Sequence, residues 1–287
     1  MIKIAIASGK GGTGKTLLST NLASLIGKRQ KIVLVDLDVE EPNDLLFVDG
    51  IETRKTEQFK MIPTWDKSTC TLCGECSTNC KFHAVVKLGE YIAVFDNLCH
   101  SCYACSELCP TQSLPMRQHK MGEITEFENS DFKFVESRLI VGEEMAVPLI
   151  NNTHKWVDKY YSDVDVQLFD SPPGTSCPVI ATTEKADFVI LVTEPTPFGL
   201  NDLVLAVETM QKLKKPIGVV INRHGIGNDE VQDYCIKNEI PILAKIPYSR
   251  EIAHYYSKGE LAYMHVPMLK DSLNEINNFL LEYKTKL

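Results

Sequence analysis

The chain has 287 residues, 44% hydrophobic and 24% charged, the make-up of a water-soluble globular protein long enough for about two domains. A formal net charge of −8 argues against nonspecific nucleic-acid binding, which needs a surplus of Lys and Arg over phosphate. No apolar run is long enough to span a bilayer, and MIKIAIAS is too short for a signal peptide, so a cytoplasmic protein with no membrane partner is expected. Ten cysteines in such a reducing compartment point to metal rather than to disulfides.

Ile2–Ala7 is a short apolar run rich in β-branched residues and reads as a first buried strand. A glycine-rich loop follows, and Leu18, Leu22 and Leu25 then recur at helical spacing. Ile32–Leu37, IVLVDL, is a second buried strand that ends in acids. Strand, helix and strand in so short a span form a βαβ unit, which predicts a parallel sheet. From Pro63 to Pro115 the pattern breaks: eight of the ten cysteines fall between Cys70 and Cys109. The α/β rhythm returns with a helix over Ala146–Tyr161, a strand over Val164–Phe169 ending at Asp170, and a strand over Phe188–Thr193. A helix over Leu200–Leu213 and a strand over Ile217–Asn222 follow, and Cys235 lies in a further helical segment as a small buried residue. The last segment, DSLNEINNFLLEYKTKL, is an amphipathic helix. Its apolar face of Leu273, Ile276, Phe279, Leu280 and Tyr283 is suited to covering a sheet. Its polar face mixes acids and bases, unlike a Lys-rich membrane anchor.

The glycine-rich loop reads Gly9, Lys10, Gly11, Gly12, Thr13, Gly14, Lys15, Thr16. It fits G-x-x-x-x-G-K-[ST], with a strand before it and a helix after it. The glycines let backbone N–H groups approach phosphates, Lys15 supplies a point charge, and Thr16 offers its hydroxyl to Mg²⁺. The extra lysine, Lys10, resembles the KGGxGK[ST] variant of the MinD/ParA/Mrp family, which includes the nitrogenase iron protein. The resemblance implies that Lys10 reaches across a homodimer to the partner's phosphates. VLVDLD resembles the family's first switch region, implying that Asp36 orients or deprotonates the attacking water with Asp38 nearby. LFDSPPG resembles the second switch, implying that Asp170 holds Mg²⁺ through water and that the Gly174 N–H senses the γ-phosphate. VVINR resembles the adenine-side strand end, implying that Asn222 reads the base, and IPYS (246–249) resembles the loop closing that pocket.

Cys70, Cys73, Cys76 and Cys80 have the spacing C-x-x-C-x-x-C-x-x-x-C, and Cys99, Cys102, Cys105 and Cys109 repeat it. This is similar to two-cluster bacterial ferredoxins, in which the fourth cysteine of each run ligates the other cluster. The resemblance implies one 4Fe–4S cluster on Cys70, Cys73, Cys76 and Cys109 and a second on Cys80, Cys99, Cys102 and Cys105. Lys81 stands where such runs usually carry a proline. Two C-x-x-C pairs could also build a Cys₄ zinc site, but two octet halves at identical spacing exceed what one zinc needs. His83 and His100 read as neighbours of the sulfurs rather than ligands. Cys177, just past the second switch, reads as a packed thiol, with a bridging-cluster ligand as the alternative.

Together these readings predict an α/β P-loop NTPase with a mostly parallel sheet flanked by helices. Its ATPase domain spans 1–62 and 116–287, interrupted by a 2[4Fe–4S] ferredoxin domain at 63–115. ATP, magnesium and two 4Fe–4S clusters are the expected cofactors, and a redox or cluster-accepting protein is the expected partner. ATP-gated electron transfer is the favoured role. Alternatives are cluster assembly or delivery of the Mrp type, a MinD/ParA-like positioning ATPase, and an amide-forming ligase of the cobyrinic acid synthase type.

Overall fold

The computed structural model describes residues 1–286, and Leu287, the last residue of the expected terminal helix, lies outside them. The chain divides into two compact units, one of residues 1–55, 124–138 and 150–287, the other of 56–123 and 139–149. The residues expected to form the insert, 63–115, fall within the second.

In chain order the strands and helices are β1 (Ile2–Ala7), α1 (Lys15–Gly27), β2 (Ile32–Asp36), β3 (Ile51–Pro63), α2 (Glu75–Asn79), β4 (Val85–Leu88) and β5 (Tyr91–Val94). Next come α3 (Ala104–Glu107), β6 (Met116–Glu128), β7 (Lys133–Leu139), α4 (Ala146–Tyr160), β8 (Val166–Asp170), α5 (Cys177–Thr183) and β9 (Phe188–Thr193). The chain ends with α6 (Pro197–Lys212), β10 (Ile217–His224), α7 (Glu230–Lys237), β11 (Ile242–Pro247), α8 (Arg250–Ser257) and α9 (Pro267–Lys284). The sheet order is β11-β10-β9-β1-β8-β2-β7-β6-β3. From β11 to β7 every neighbouring pair is parallel. Only four residues join β6 to β7, too few for a parallel crossover, so the sheet turns antiparallel at that edge.

The central strands β1, β2, β8 and β9 are buried almost throughout, as continuous apolar runs must be when helices cover both faces. Register matters for the site. Asp36 ends β2 and Asp170 ends β8, and the two are paired across the ladder. Ile6, at the end of β1, is the other neighbour of Asp170. The carboxyl ends of three adjacent strands therefore meet where the glycine loop leaves β1.

α1 is buried on nearly every side. Its polar residues are satisfied locally: Ser19, Thr20 and Asn21 donate to the carbonyls of Lys15, Thr16 and Leu17. α9 buries Leu269, Leu273, Ile276 and Leu280 in the main core. No helix among the described residues is long and apolar enough to cross a membrane.

The second unit holds the antiparallel hairpin of β4 and β5, with Val85 opposite Val94 and Leu88 opposite Tyr91. Its core joins Cys76, Val85, Ile92, Cys105 and Leu114. The sequence repeat is also a backbone repeat. Leu72 and Ser101, two residues after the first cysteine of each run, have φ of 57° and 53°. Gly74 and Tyr103 follow at 88° and 64°, and His83 and Gln112, three residues after the fourth cysteines, are both at 52°. Left-handed backbone is costly for residues with a Cβ, so its recurrence at equivalent positions means the wrapping of the chain demands it.

Candidate functional site

Gly14 precedes α1 with φ of 101°. A Cβ there would sit 2.3 Å from Asn222 Nδ2, so this position requires glycine on both counts. Gly9 is pressed against α6: a Cβ would meet the Asp202 carbonyl oxygen at 2.2 Å. Gly11, Gly12, Gly14, Lys15 and Thr16 open onto a cleft of about 1,620 Å³ including its mouth, faced by Asp38, Asp170 and Asn222. Thr13 is buried beneath the loop. Lys15 Nζ donates to Ser8 Oγ at 3.0 Å, and burial lowers its pKa against the pull of Asp170 and Asp38. Thr16 Oγ1 lies 2.8 Å from Asn43 Oδ1 and 3.1 Å from Asp170 Oδ2.

The acids form a buried group. Asp36 is 1% exposed, and both its oxygens brace the following loop. Oδ1 accepts from the Asp38 N–H at 3.0 Å, and Oδ2 from those of Asn43 and Asp44 at 2.9 and 3.1 Å. Burial first, then the charge of Asp170, pushes Asp36 well above the carboxylate range. Asp44, fully buried, is pushed up by the same two causes, and neither of its oxygens accepts an N–H or O–H donor among the described residues. Asp170 is raised by burial, with Lys15 pulling it down. Asp38 is more open and rises to about 6 through burial and Asp170. Asp36, Asp38, Asp44 and Asp170 act on one another electrostatically with Lys15 beside them, a field that favours a cation.

The remaining expected residues are placed as follows. The Gly174 N–H, at φ of 97°, donates to the Ser8 carbonyl at 3.0 Å. Asn222 Nδ2 donates to the Thr13 carbonyl at 2.7 Å, and its Oδ1 accepts the Arg223 N–H at 2.9 Å. Among the described residues these are the hydrogen bonds of its amide, which leaves capacity to meet a ligand. Lys10 is not part of the cleft wall; its Nζ lies 3.7 Å from Glu194 Oε2. Sequence reasoning did not single out Ser8, Asn43, Asp44, Glu194 or Arg223. Asn43 and Asp44 sit in VEEPND, directly after the acids of the first switch, and that adjacency was the available signal.

In the second unit the eight cysteines separate into two sets. Cys70, Cys73, Cys76 and Cys109 line one small pocket, about 310 Å³ when its open mouth is counted. Cys80, Cys99, Cys102 and Cys105 line another, about 330 Å³ on the same count. The Leu72 N–H donates to Cys70 Sγ at 3.4 Å and the Ser113 N–H to Cys109 Sγ at 3.2 Å. Burial raises Cys76 and Cys99 and carries Cys105 to about 11. For Cys109, burial is outweighed by hydrogen bonds from Ser113 and Thr111, and its pKa falls. No three His, Cys, Asp or Glu side chains among the described residues are grouped to hold a single metal ion. All ten cysteines are free thiols, with Cys177 exposed and Cys235 buried. Lys60 and Glu143 form a buried ion pair at 2.8 Å, and the Lys60 charge acts on Cys99, which lines the second pocket, against burial.

A phosphate-type loop at the end of the first of several parallel strands, closed by strand-end acids, defines a nucleotide-binding α/β domain. Residues 4–262 match the family model described as the CobQ/CobB/MinD/ParA nucleotide binding domain, and the chain belongs to that family. Uncharacterized protein MJ0579 of Methanocaldococcus jannaschii is 29% identical over 283 residues, 98% of each chain. The iron-sulfur cluster carrier protein of Pyrococcus horikoshii is 25% identical over 234 residues, 76% of this chain but only 60% of that protein. Among solved structures, septum site-determining protein MinD with Mg-ADP from Pyrococcus horikoshii superposes with a TM-score of 0.60 at 19% identity, over 96% of this chain and 93% of that one. That likeness bears on the fold.

Proposed function

We propose that this protein is an ATP-hydrolysing switch whose nucleotide state gates electron transfer from an iron–sulfur unit to a partner protein. The observation that carries the reading is the presence, in one chain, of a complete phosphate loop and of eight cysteines lining two cavities in sets of four. ATP with Mg²⁺ would occupy the cleft, its phosphates on the Gly9–Thr16 loop and Lys15, its metal beside Thr16 and Asp170. Asp44, buried beside Asp170 with no N–H or O–H donor to its oxygens among the described residues, belongs to the same cation field. Asp38 faces the cleft and suits the attacking water, whereas Asp36 spends both oxygens on the loop that carries Asp38. Lys10 would act on the phosphates of a second copy in a nucleotide-bound homodimer.

The chemistry of the two cysteine sets supports 4Fe–4S clusters as the groups they hold. Each offers four thiols, and in each a backbone N–H or a neighbouring cation offsets thiolate charge: Leu72 and Ser113 in the first, Lys60 in the second. The pocket linings support a ligand set of Cys109 with Cys70, Cys73 and Cys76, and one of Cys80 with Cys99, Cys102 and Cys105. A tetrahedral zinc would need its sulfurs drawn together around one ion, at about 2.3 Å from it. When bound, the clusters supply one-electron transfer, and the chain's own part is to hold them and to stabilise the thiolates.

A second reading is cluster delivery, favoured by relatives named iron-sulfur cluster carrier proteins. Anaerobic preparation tests the first claim directly. About eight irons and eight sulfides per chain are expected. Cys109→Ser should remove the EPR signal of the site built on Cys70, Cys73 and Cys76; loss of the site built on Cys99 instead would refute the pairing. Ready transfer of clusters to an apo-acceptor on ATP hydrolysis would move the assignment to delivery.

A further inference from the structure

We propose that Glu194 is a positioning residue for Lys10: it holds the lysine on its own chain until a second copy's nucleotide takes the carboxylate's place. The proposal rests on the reading of Lys10 as a charge that acts across a dimer.

Lys10 Nζ lies 3.7 Å from Glu194 Oε2, and Arg223 Nη1 lies 2.7 Å from the other oxygen, Oε1. The Glu194 side chain is 9% exposed and the Lys10 side chain 35%, so the anion is fixed and the cation is on the surface side. Neither backbone is free to drift. Gly9, next to Lys10, is packed against the Asp202 carbonyl so tightly that a Cβ would stand 2.2 Å from its oxygen. A Cβ at Gly199 would likewise stand 2.2 Å from the Glu194 carbonyl oxygen, which accepts the Thr196 N–H at 2.8 Å. The separation of the two backbones is therefore set by packed main chain at the start of the loop and at the end of β9.

The second cation makes the arrangement releasable. A buried carboxylate stripped of its only partner is strongly disfavoured. Glu194 keeps Arg223 when Lys10 leaves, so the lysine can exchange a carboxylate for a phosphate without stranding the anion. Arg223 also lines the nucleotide cleft, so the carboxylate that holds the lysine is tied to a residue of that site.

The test has two arms. In nucleotide-free protein, pulse acetylation with acetic anhydride, read by mass spectrometry, measures the reactivity of Lys10 against exposed Lys212 as internal reference. Lys10 should react about two- to fivefold faster in Glu194→Gln than in the wild type, the range expected for losing a partly exposed ion pair. The second arm is the protein concentration at which a non-hydrolysable ATP analogue drives dimerisation, read by sedimentation; it should fall by a similar factor in Glu194→Gln. Equal Lys10 reactivity in the two proteins, or a dimerisation midpoint that is unchanged or higher in the variant, overturns the proposal. Lys10→Ala separates it from the reading beneath it. If that variant dimerises with the analogue as the wild type does, the role of Lys10 across the dimer falls, while the acetylation arm still judges Glu194.

Discussion

Lys60→Met tests the electrostatics at the second cysteine pocket. Lys60 and Glu143 are 3% and 1% exposed in their side chains and 2.8 Å apart. Glu143 Oε1 also accepts the Met145 N–H at 3.3 Å, but Oε2 has no hydrogen-bond donor among the described residues, and His119 Nε2 lies 3.7 Å off. Methionine preserves most of the lysine stem, so packing changes little and the loss is that of the ammonium group. A carboxylate left in a buried position without its cation costs about 3–5 kcal/mol. That is a shift of about two to four orders of magnitude in the unfolding equilibrium, since each tenfold is about 1.4 kcal/mol. Urea unfolding by circular dichroism, with bleaching of the visible cluster absorbance followed in parallel, should show the second unit losing stability by this amount. The double variant Lys60→Met with Glu143→Leu should recover most of it, because an apolar pair of similar volume can replace a buried ion pair. A single variant within about 1 kcal/mol of the wild type, the range of a surface pair, would refute the reasoning.

Lys15→Ala should abolish tight ATP binding in calorimetry while leaving the iron count unchanged, because the cysteine cavities belong to a different unit. Asp38→Asn should still bind ATP and hydrolyse it slowly in a phosphate-release assay. Asp36→Asn should weaken binding as well, since three backbone N–H groups of the loop lose their carboxylate acceptor. Equal ATP affinity and equal loss of hydrolysis in the two variants would remove the distinction drawn between them.

The parallel core was legible because its strands are unbroken apolar runs: Phe188–Thr193 was read with the bounds the structure gives, and Ile2–Ala7 likewise. β3 escaped because nearly all of Ile51–Gln58 is exposed, so the segment has no apolar face to alternate. β6 and β7 are half-buried and mix charges into the pattern, and they add the sheet edge that the sequence rhythm did not announce. In the cysteine region the spacing was legible and the left-handed residues were not. Leu72, His83, Ser101, Tyr103 and Gln112 carry no glycine to mark them. At the nucleotide site the loop spelled itself out. The amides that engage Asp36 come from the loop just after it, but the pairing of Lys10 with Glu194 joins residues far apart in the chain, and no local pattern encodes it.

Gating requires that bound nucleotide change the redox behaviour of the iron–sulfur unit. Anaerobic potentiometry of the reconstituted protein, followed by EPR with and without a non-hydrolysable ATP analogue and Mg²⁺, measures this. The account predicts two cluster signals of which at least one shifts its midpoint potential when the analogue binds, with the shift absent in Lys15→Ala. Two clusters that titrate at the same potentials with and without bound analogue would contradict it.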